Sequence, residues 1–241
     1  MNKISIFLVA LLVLLTACQT RVIMEQQGES HTLNVQGTSE FDVAPDLAKL
    51  RFRVETMSFT AQDAQNKNRQ VASQVMVALS SAGVRDDEIK TSDYRVERVQ
   101  EWDGNLERMV DKGYRVSNAF VVSTKDLSVV GSLLDVAIEA GANNVESISF
   151  ELSDDKQREV KTQALKSAAQ NAREKAVALA DGSGVSLGKV RSVSENSYVA
   201  LPYARYDVMA LKSESAGAPS TPISPGDVHV SAQVSLAYEV A

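Results

Sequence analysis

The chain has 241 residues, which suffice for one sizeable hydrophobic core or two small ones. Its 25 basic and 31 acidic residues give a formal net charge of −6, and no cluster of Lys and Arg interrupts the mixed pattern. Nucleic acid is therefore not an expected partner, because its phosphates would be repelled.

The N-terminal segment predicts export. Lys3 precedes an apolar run over residues 4–15, which is the layout of a secretory signal. The run is too short for a membrane-spanning helix, which needs roughly 20 apolar residues. The sequence LTAC at residues 15–18 resembles the bacterial lipobox, in which signal peptidase II cuts before the cysteine and the sulfur carries a diacylglycerol.

The lipobox resemblance implies a signal peptide at residues 1–17 and a lipidated Cys18, with acyl chains such as palmitate, at the head of a tether over residues 18–31. Gln19, which is not Asp, implies sorting to the outer membrane, with the domain facing the periplasm. The alternative is an ordinary cleavable signal with an incidental cysteine. Cys18 is the only cysteine, so an internal disulfide cannot form, and a lipidated Cys18 leaves no thiol for chemistry.

Three segments have helical periodicity. Thr60 with Asp63 begins the first, and Ser153 caps the third. Gly83, Gly141 and Gly182 are predicted to end the three helices. The predicted buried stripes are Ala64, Val71, Val75, Ala78, Leu79 and Ala82 in the first helix, Leu127, Val130, Leu134, Ala137 and Ile138 in the second, and Val160, Ala164, Ala168, Ala172, Ala176 and Leu179 in the third.

Period-two patterns predict the strands, and a hairpin is expected around residues 103–105. From Ala48 onward the order is strand, helix, strand, strand, helix, strand, which is the split β-α-β pattern, followed by a long helix and two more strands. This predicts an α+β fold, a mostly antiparallel sheet with helices on one face. The predicted strands are 32–37, 48–56, 89–102, 109–124, 145–152, 187–200 and 227–240.

The segment 201–227 breaks the pattern, because it holds four of the five prolines and is long for a connection between strands. Two interpretations remain open, a mobile excursion and an arm that contacts a partner. Tyr203, Tyr206 and Met209 are the candidate partner or oligomer contacts.

The sequence offers no set of residues for metal or acid-base chemistry. His31 and His229 are the only histidines, and they are interpreted as solvent-facing; a weak metal site with Glu239 or Glu29 is the alternative. No GxSxG nucleophile elbow is expected: the glycine-rich stretch at 182–189, which contains the GxSxG spacing as GVSLG at 184–188, leaves a helix and enters a strand, the opposite polarity to an elbow and to a phosphate loop. We therefore expect no catalytic residues, no cofactor and no metal.

Several stretches together resemble the SIMPL-domain family over residues 32–241. They are Gly37 with Pro45-Asp46, GVRDDEIKTSDY at 83–94, Gly113-Tyr114, Asn118, AIEAGANNVESISFELSD at 137–154, AAQNAREKAVALA at 168–180, LGKV at 187–190, and VSAQVSLAYEV at 230–240. The resemblance implies an envelope protein without established catalytic residues. Some members are linked to oxidative-stress resistance, and one forms a large ring-like oligomer.

Two hypotheses follow. The first is a non-enzymatic outer-membrane lipoprotein whose periplasm-facing SIMPL domain self-associates and contributes to envelope integrity or stress tolerance, with other envelope proteins as further partners. The second is a small-molecule binder, or an enzyme of an unrecognised kind, in oxidative-stress defence.

Overall fold

The computed structural model describes residues 31–202 and 221–241. Within these ranges the chain forms seven strands and three α-helices. In chain order they are β1 (Thr32–Val43), β2 (Leu47–Ser58), α1 (Ala61–Ser81), β3 (Ile89–Asp103), β4 (Arg108–Thr124), α2 (Val130–Glu139), β5 (Asn144–Glu151), α3 (Asp154–Ser183), β6 (Leu187–Pro202) and β7 (Val228–Val240).

The strands form two antiparallel sheets. Four strands in the order β3-β4-β2-β5 pack with α1 and α2 around one core, which we call the first unit. Three strands in the order β1-β7-β6 pack with α3 around another, the second unit. The predicted α+β class with antiparallel strands is confirmed, and the structure adds the division into two sheets. Among the described residues no helix is both long and apolar enough to span a membrane.

The first unit follows the alternation predicted for β2. Leu50, Phe52 and Val54 are buried beneath the helices, whereas Lys49 and Arg51 lie on the opposite face. On that face Lys49 pairs with Glu151 at 2.7 Å, and Arg53 pairs with Glu146. The helices thus cover one face of this sheet, and charged side chains occupy the other.

The second unit depends on small residues where α3 lies on the sheet. The buried residues of α3 recur every four positions and are mostly alanine: Val160, Ala164, Ala168, Ala172, Ala176 and Ala180. Opposite them on β1, a Cβ added to Gly37 would stand 2.0 Å from the Ala168 carbonyl oxygen. Helix and strand are therefore in contact through their backbones at this point.

Most predicted helix ends are confirmed. The Thr60 hydroxyl accepts a hydrogen bond from the Asp63 amide at 3.1 Å, and Ser153 caps α3 in the same way at 3.4 Å. Gly83 and Gly141 follow α1 and α2 with φ of +96° and +115°.

Several details of the helix predictions are wrong. The third helix continues through Gly182 to Ser183 and ends at Gly184, which has the left-handed φ of 71°. Ile138 and Leu179 are about half exposed, because each lies at the margin of its stripe. Residues 127–129 form a 3-10 turn before α2. In addition, β6 extends through Pro202, two residues into the predicted loop.

Two sets of hydrogen bonds tie the units together. At the first, Asp46 accepts hydrogen bonds from the amide and the hydroxyl of Ser153, both at 2.6 Å, where the chain passes between units. At the second, Thr221 donates from its amide and hydroxyl to the Asp135 carboxylate on α2, at 2.9 and 2.6 Å. Residues 221–227, which we call the strap, therefore leave the first unit and enter β7 of the second.

Candidate functional site

The residues to which the sequence analysis assigns a role lie largely outside the part of the chain that the structure describes. Cys18 precedes residue 31, and Tyr203, Tyr206 and Met209 fall between residues 202 and 221. Their proposed roles in lipidation and in partner contact stay predictions.

The two histidines lie on adjacent strands but at opposite ends of them. His31 immediately precedes β1 and adjoins the end of β7, whereas His229 near the start of β7 is paired with Asp42 near the end of β1. The His229 Nδ1 lies 2.8 Å from Asp42 Oδ1. His229 and Glu239 are ten positions apart on one strand, so these two side chains cannot share a metal, and Glu29, the other acidic residue of that alternative, lies outside the described residues. No group of three or more metal-ligating side chains occurs within 31–202 and 221–241.

The most exposed regular element is β6, an edge strand of sixteen residues. Its only strand neighbour in the described structure is β7. Val190 and Val193 lie on the side of the sheet that carries α3, but α3 leaves them open, and Val193 is 68% exposed. Val199 and Leu201 lie on the other face and are also exposed. A long edge strand with exposed apolar side chains is a template for pairing with another chain.

The opposite edge of the same sheet is closed by α3. The Asn171 side chain accepts a hydrogen bond from the Thr38 amide at 3.2 Å, and Lys175 donates to the Gln36 carbonyl at 3.0 Å. These side chains occupy backbone groups of β1 that an added strand would need. Among the described residues the two edges of the three-stranded sheet thus differ: side chains of α3 occupy backbone groups of β1, whereas no strand pairs with the outer edge of β6.

A second feature is a cavity of about 300 Å³ between α1 and strands β3 and β4 in the first unit. We call it the amide cavity, because Gln65, Asn68 and Asn118 line it. Ala72, Met76 and Phe120 form an apolar part of its wall, and Thr91 and Tyr94 of β3 complete one side.

Asn68 is the unusual residue of the amide cavity. It is 1% exposed, and its amide nitrogen donates to the carbonyl oxygens of Val54 at 2.8 Å and Val116 at 3.3 Å. These two acceptors fix the orientation of the amide, so its oxygen points away from them. The Asn68 Oδ1 and the Asn118 Oδ1 are both buried without a hydrogen-bond partner among the described residues. An unsatisfied buried acceptor typically costs about 1–3 kcal/mol.

Comparison with known proteins decides the family. A family model described as SIMPL, a protein of unknown function (DUF541), matches residues 33–238. The chain belongs to the SIMPL family.

This SIMPL chain has relatives in Brucella, Escherichia and Edwardsiella. It is 30% identical over 213 residues to the 26 kDa periplasmic immunogenic protein of Brucella melitensis biotype 1, covering 86% of this chain and 83% of the relative. It is 29% identical over 157 residues to the uncharacterized protein YggE of Escherichia coli K12, covering 65% of this chain and 62% of that protein. The YggE of Edwardsiella ictaluri is 31% identical over 157 residues.

The SIMPL match runs from β1 to β7, so it includes both units, the β6 edge and the amide cavity. The sequence analysis missed Asn68, because its search for the α1 stripe admitted only apolar residues. The spacing Ala64, Asn68, Ala72 was the available signal, since positions four apart share a helix face. The period-two pattern predicted the β6 strand, but it did not predict that β6 is exposed, because that exposure depends on where α3 lies.

Proposed function

We propose that this SIMPL protein is a non-enzymatic outer-membrane lipoprotein that faces the periplasm and self-assembles through β6, contributing to envelope integrity or stress tolerance. The name of the Brucella relative supports a periplasmic location. The LTAC sequence at residues 15–18 supports the anchor. A mature cysteine with several acyl chains would hold the protein durably, whereas a single chain binds only marginally.

The exposed edge of β6 is the observation that carries the assembly part of the proposal. Pairing of β6 with β6 of a second copy would satisfy edge backbone groups and bury Val190, Val193, Val199 and Leu201. Such a contact uses the same surface on both copies and generates a two-fold dimer. Tyr203, Tyr206 and Met209 follow β6 directly in sequence, where they could extend the same contact.

Sedimentation velocity of residues 19–241 tests the assembly. We expect a species larger than one chain for the unmodified sequence and a monomer for Val193→Lys, because a lysine on an edge strand opposes pairing. Val177→Lys is the matched control, since Val177 is also exposed but lies on α3. It should assemble like the unmodified chain. A strict monomer at high concentration without any substitution would refute self-assembly.

Fractionation of cells that express the full-length protein tests the anchor. Cys18→Ser should release the protein from the membrane fraction or block its processing. Gln19→Asp is the matched control, because it should keep the protein membrane-bound while shifting it toward the inner membrane. Unchanged outer-membrane fractionation of Cys18→Ser contradicts the anchor.

The second candidate function is a small-molecule binder, or an enzyme of an unrecognised kind, in oxidative-stress defence. The amide cavity favours binding, because it combines buried acceptors with an apolar wall, as small-molecule sites commonly do. Survival of oxidant-treated cells that carry a cavity-filling variant such as Asn118→Leu would separate the two functions. Lost protection with unchanged assembly favours the second.

A further inference from the structure

We propose that the amide cavity binds a small zwitterion of the α-amino acid class that carries an apolar side chain. The inference goes beyond the assembly proposed for β6 and rests on the second candidate function, small-molecule binding, for which it names the ligand class. Three parts of the cavity correspond to three parts of such a ligand: a pair of hydrogen-bond acceptors, a cationic side chain and an apolar wall.

The acceptors are the amide oxygens of Asn68 and Asn118. Both are closed to bulk water and receive no hydrogen bond from residues 31–202 or 221–241. An ammonium group carries three N–H donors and no acceptor, so it is the kind of group that a pair of unsatisfied acceptors suits. Both oxygens have almost no accessible surface, so a ligand reaches them only when the half-buried Asn118 amide turns, while Asn68 is held in place by Val54 and Val116.

The cation is Arg69, which is exposed and is the only charged residue among the described side chains that line the cavity. It follows Asn68 directly on α1. One of its guanidinium nitrogens lies 3.3 Å from Asn66 Oδ1, which leaves other N–H donors of the planar group for a carboxylate. Acceptors for an ammonium and a donor for a carboxylate thus belong to one cavity.

The wall between these groups is formed by Ala72, Met76 and Phe120. It suits an aliphatic side chain, and methionine adapts to different shapes. The volume of about 300 Å³ is at the lower end of small-molecule sites, which agrees with a ligand as small as a free amino acid. Water alone could satisfy the amide oxygens, but it would not use the apolar wall.

Calorimetric titration of the purified full-length protein with L-leucine tests the proposal. We expect saturable binding, and at least about tenfold weaker binding of N-acetyl-L-leucine, which lacks the ammonium, and of L-leucinamide, which lacks the carboxylate. In NMR spectra the side-chain amide signals of Asn68 and Asn118 should shift during the titration. No binding at millimolar leucine, or equal affinity for the three compounds, overturns the proposal.

Two variants locate the binding. Asn118→Leu removes one acceptor and fills the cavity, so it should abolish leucine binding. Arg69 is exposed, so Arg69→Gln should leave folding intact, and it should weaken leucine binding about tenfold. Lys67→Gln, an exposed change on α1 outside the cavity, is the matched control and should bind like the unmodified protein. Binding that Arg69→Gln leaves unchanged overturns the proposal, whether or not Asn118→Leu folds.

Discussion

Gly37 shows how one residue determines the distance between two elements. Its missing Cβ would lie 2.0 Å from the carbonyl oxygen of Ala168 and 2.5 Å from the amide nitrogen of Ala172. Neither backbone atom can move without moving α3. The glycine in the SIMPL resemblance at this position is therefore explained by packing.

We predict that Gly37→Ala destabilises the protein by about 1–3 kcal/mol, because overpacking forces the backbone to shift. Gly182→Ala is the matched control on α3, since an added Cβ there meets nothing within 4 Å. It should stabilise the helix by about 0.5–1 kcal/mol, as alanine does in helix interiors. Urea unfolding measures both changes, and a Gly37→Ala protein as stable as the unmodified one would show that β1 and α3 do not meet this closely.

The hydrogen-bonded carboxyl group of Asp46 should make the stability of the protein depend on pH. Burial raises the pKa of its carboxyl, but the hydrogen bonds from the Ser153 hydroxyl and amide outweigh that effect and hold the pKa below its ordinary value of 3.8. Because the unfolded state then binds the proton more tightly, this stabilisation is complete above about pH 5 and is lost as pH falls through the lower folded-state pKa.

Asp46→Asn should therefore lower the unfolding free energy at pH 7 by about 1–3 kcal/mol, since a hydrogen bond to a charged acceptor is replaced by a weaker one. It should also flatten the decline in stability below about pH 4. Urea midpoints measured between pH 7 and pH 2.5 check both effects. If the urea midpoints of the two proteins changed with pH in parallel, the Asp46 carboxylate would not stabilise the contact with Ser153.

At the scale of elements, helix ends and strand alternation could be predicted because they depend on neighbours in sequence. Thr60 and Ser153 are caps, and Gly83 and Gly141 are stops, for local backbone reasons. Gly184 rather than Gly182 ends α3, because the helix continues until the residue with a positive φ. The buried Asn68 and the open β6 depend on how elements pack, and no local pattern specifies them.

The strap is an element that sequence could not foresee, because residues 221–227 are rich in proline and lack periodicity. Besides the hydrogen bonds of Thr221 to Asp135, the strap packs closely on α2, where a Cβ added to Gly131 would lie 2.2 Å from the Thr221 carbonyl oxygen. Ile223 contributes to the core of the first unit. The strap therefore packs against the first unit, although in sequence it leads directly into β7 of the second unit.

We predict that Asp135→Ala accelerates amide hydrogen exchange in the strap, because both hydrogen bonds from Thr221 lose their acceptor. Exchange measured by mass spectrometry should rise in residues 221–227 and stay unchanged in β1. Asp126→Ala is the control, since Asp126 caps the 3-10 turn before α2 and does not accept the hydrogen bonds of Thr221 to Asp135. Equal exchange in the strap of all three proteins would contradict its docking.

At the scale of the whole molecule, the chain crosses repeatedly between the units. It passes from β1 to β2, from β5 to α3, and from the strap into β7. The pairing of β1 with β7 joins the first and last strands of the described chain. The SIMPL domain is thus one structure with two cores, and one of its sheets presents the exposed strand through which we propose that copies meet.

A cysteine placed on β6 tests that central claim most directly. In a protein of residues 19–241, which lacks Cys18, a short bismaleimide should give a covalent dimer with Val193→Cys, because the two β6 strands adjoin. Val177 is also solvent-exposed but lies on α3, so Val177→Cys should stay monomeric. Absence of the dimer with Val193→Cys, or equal crosslinking at the two positions, would contradict assembly through β6.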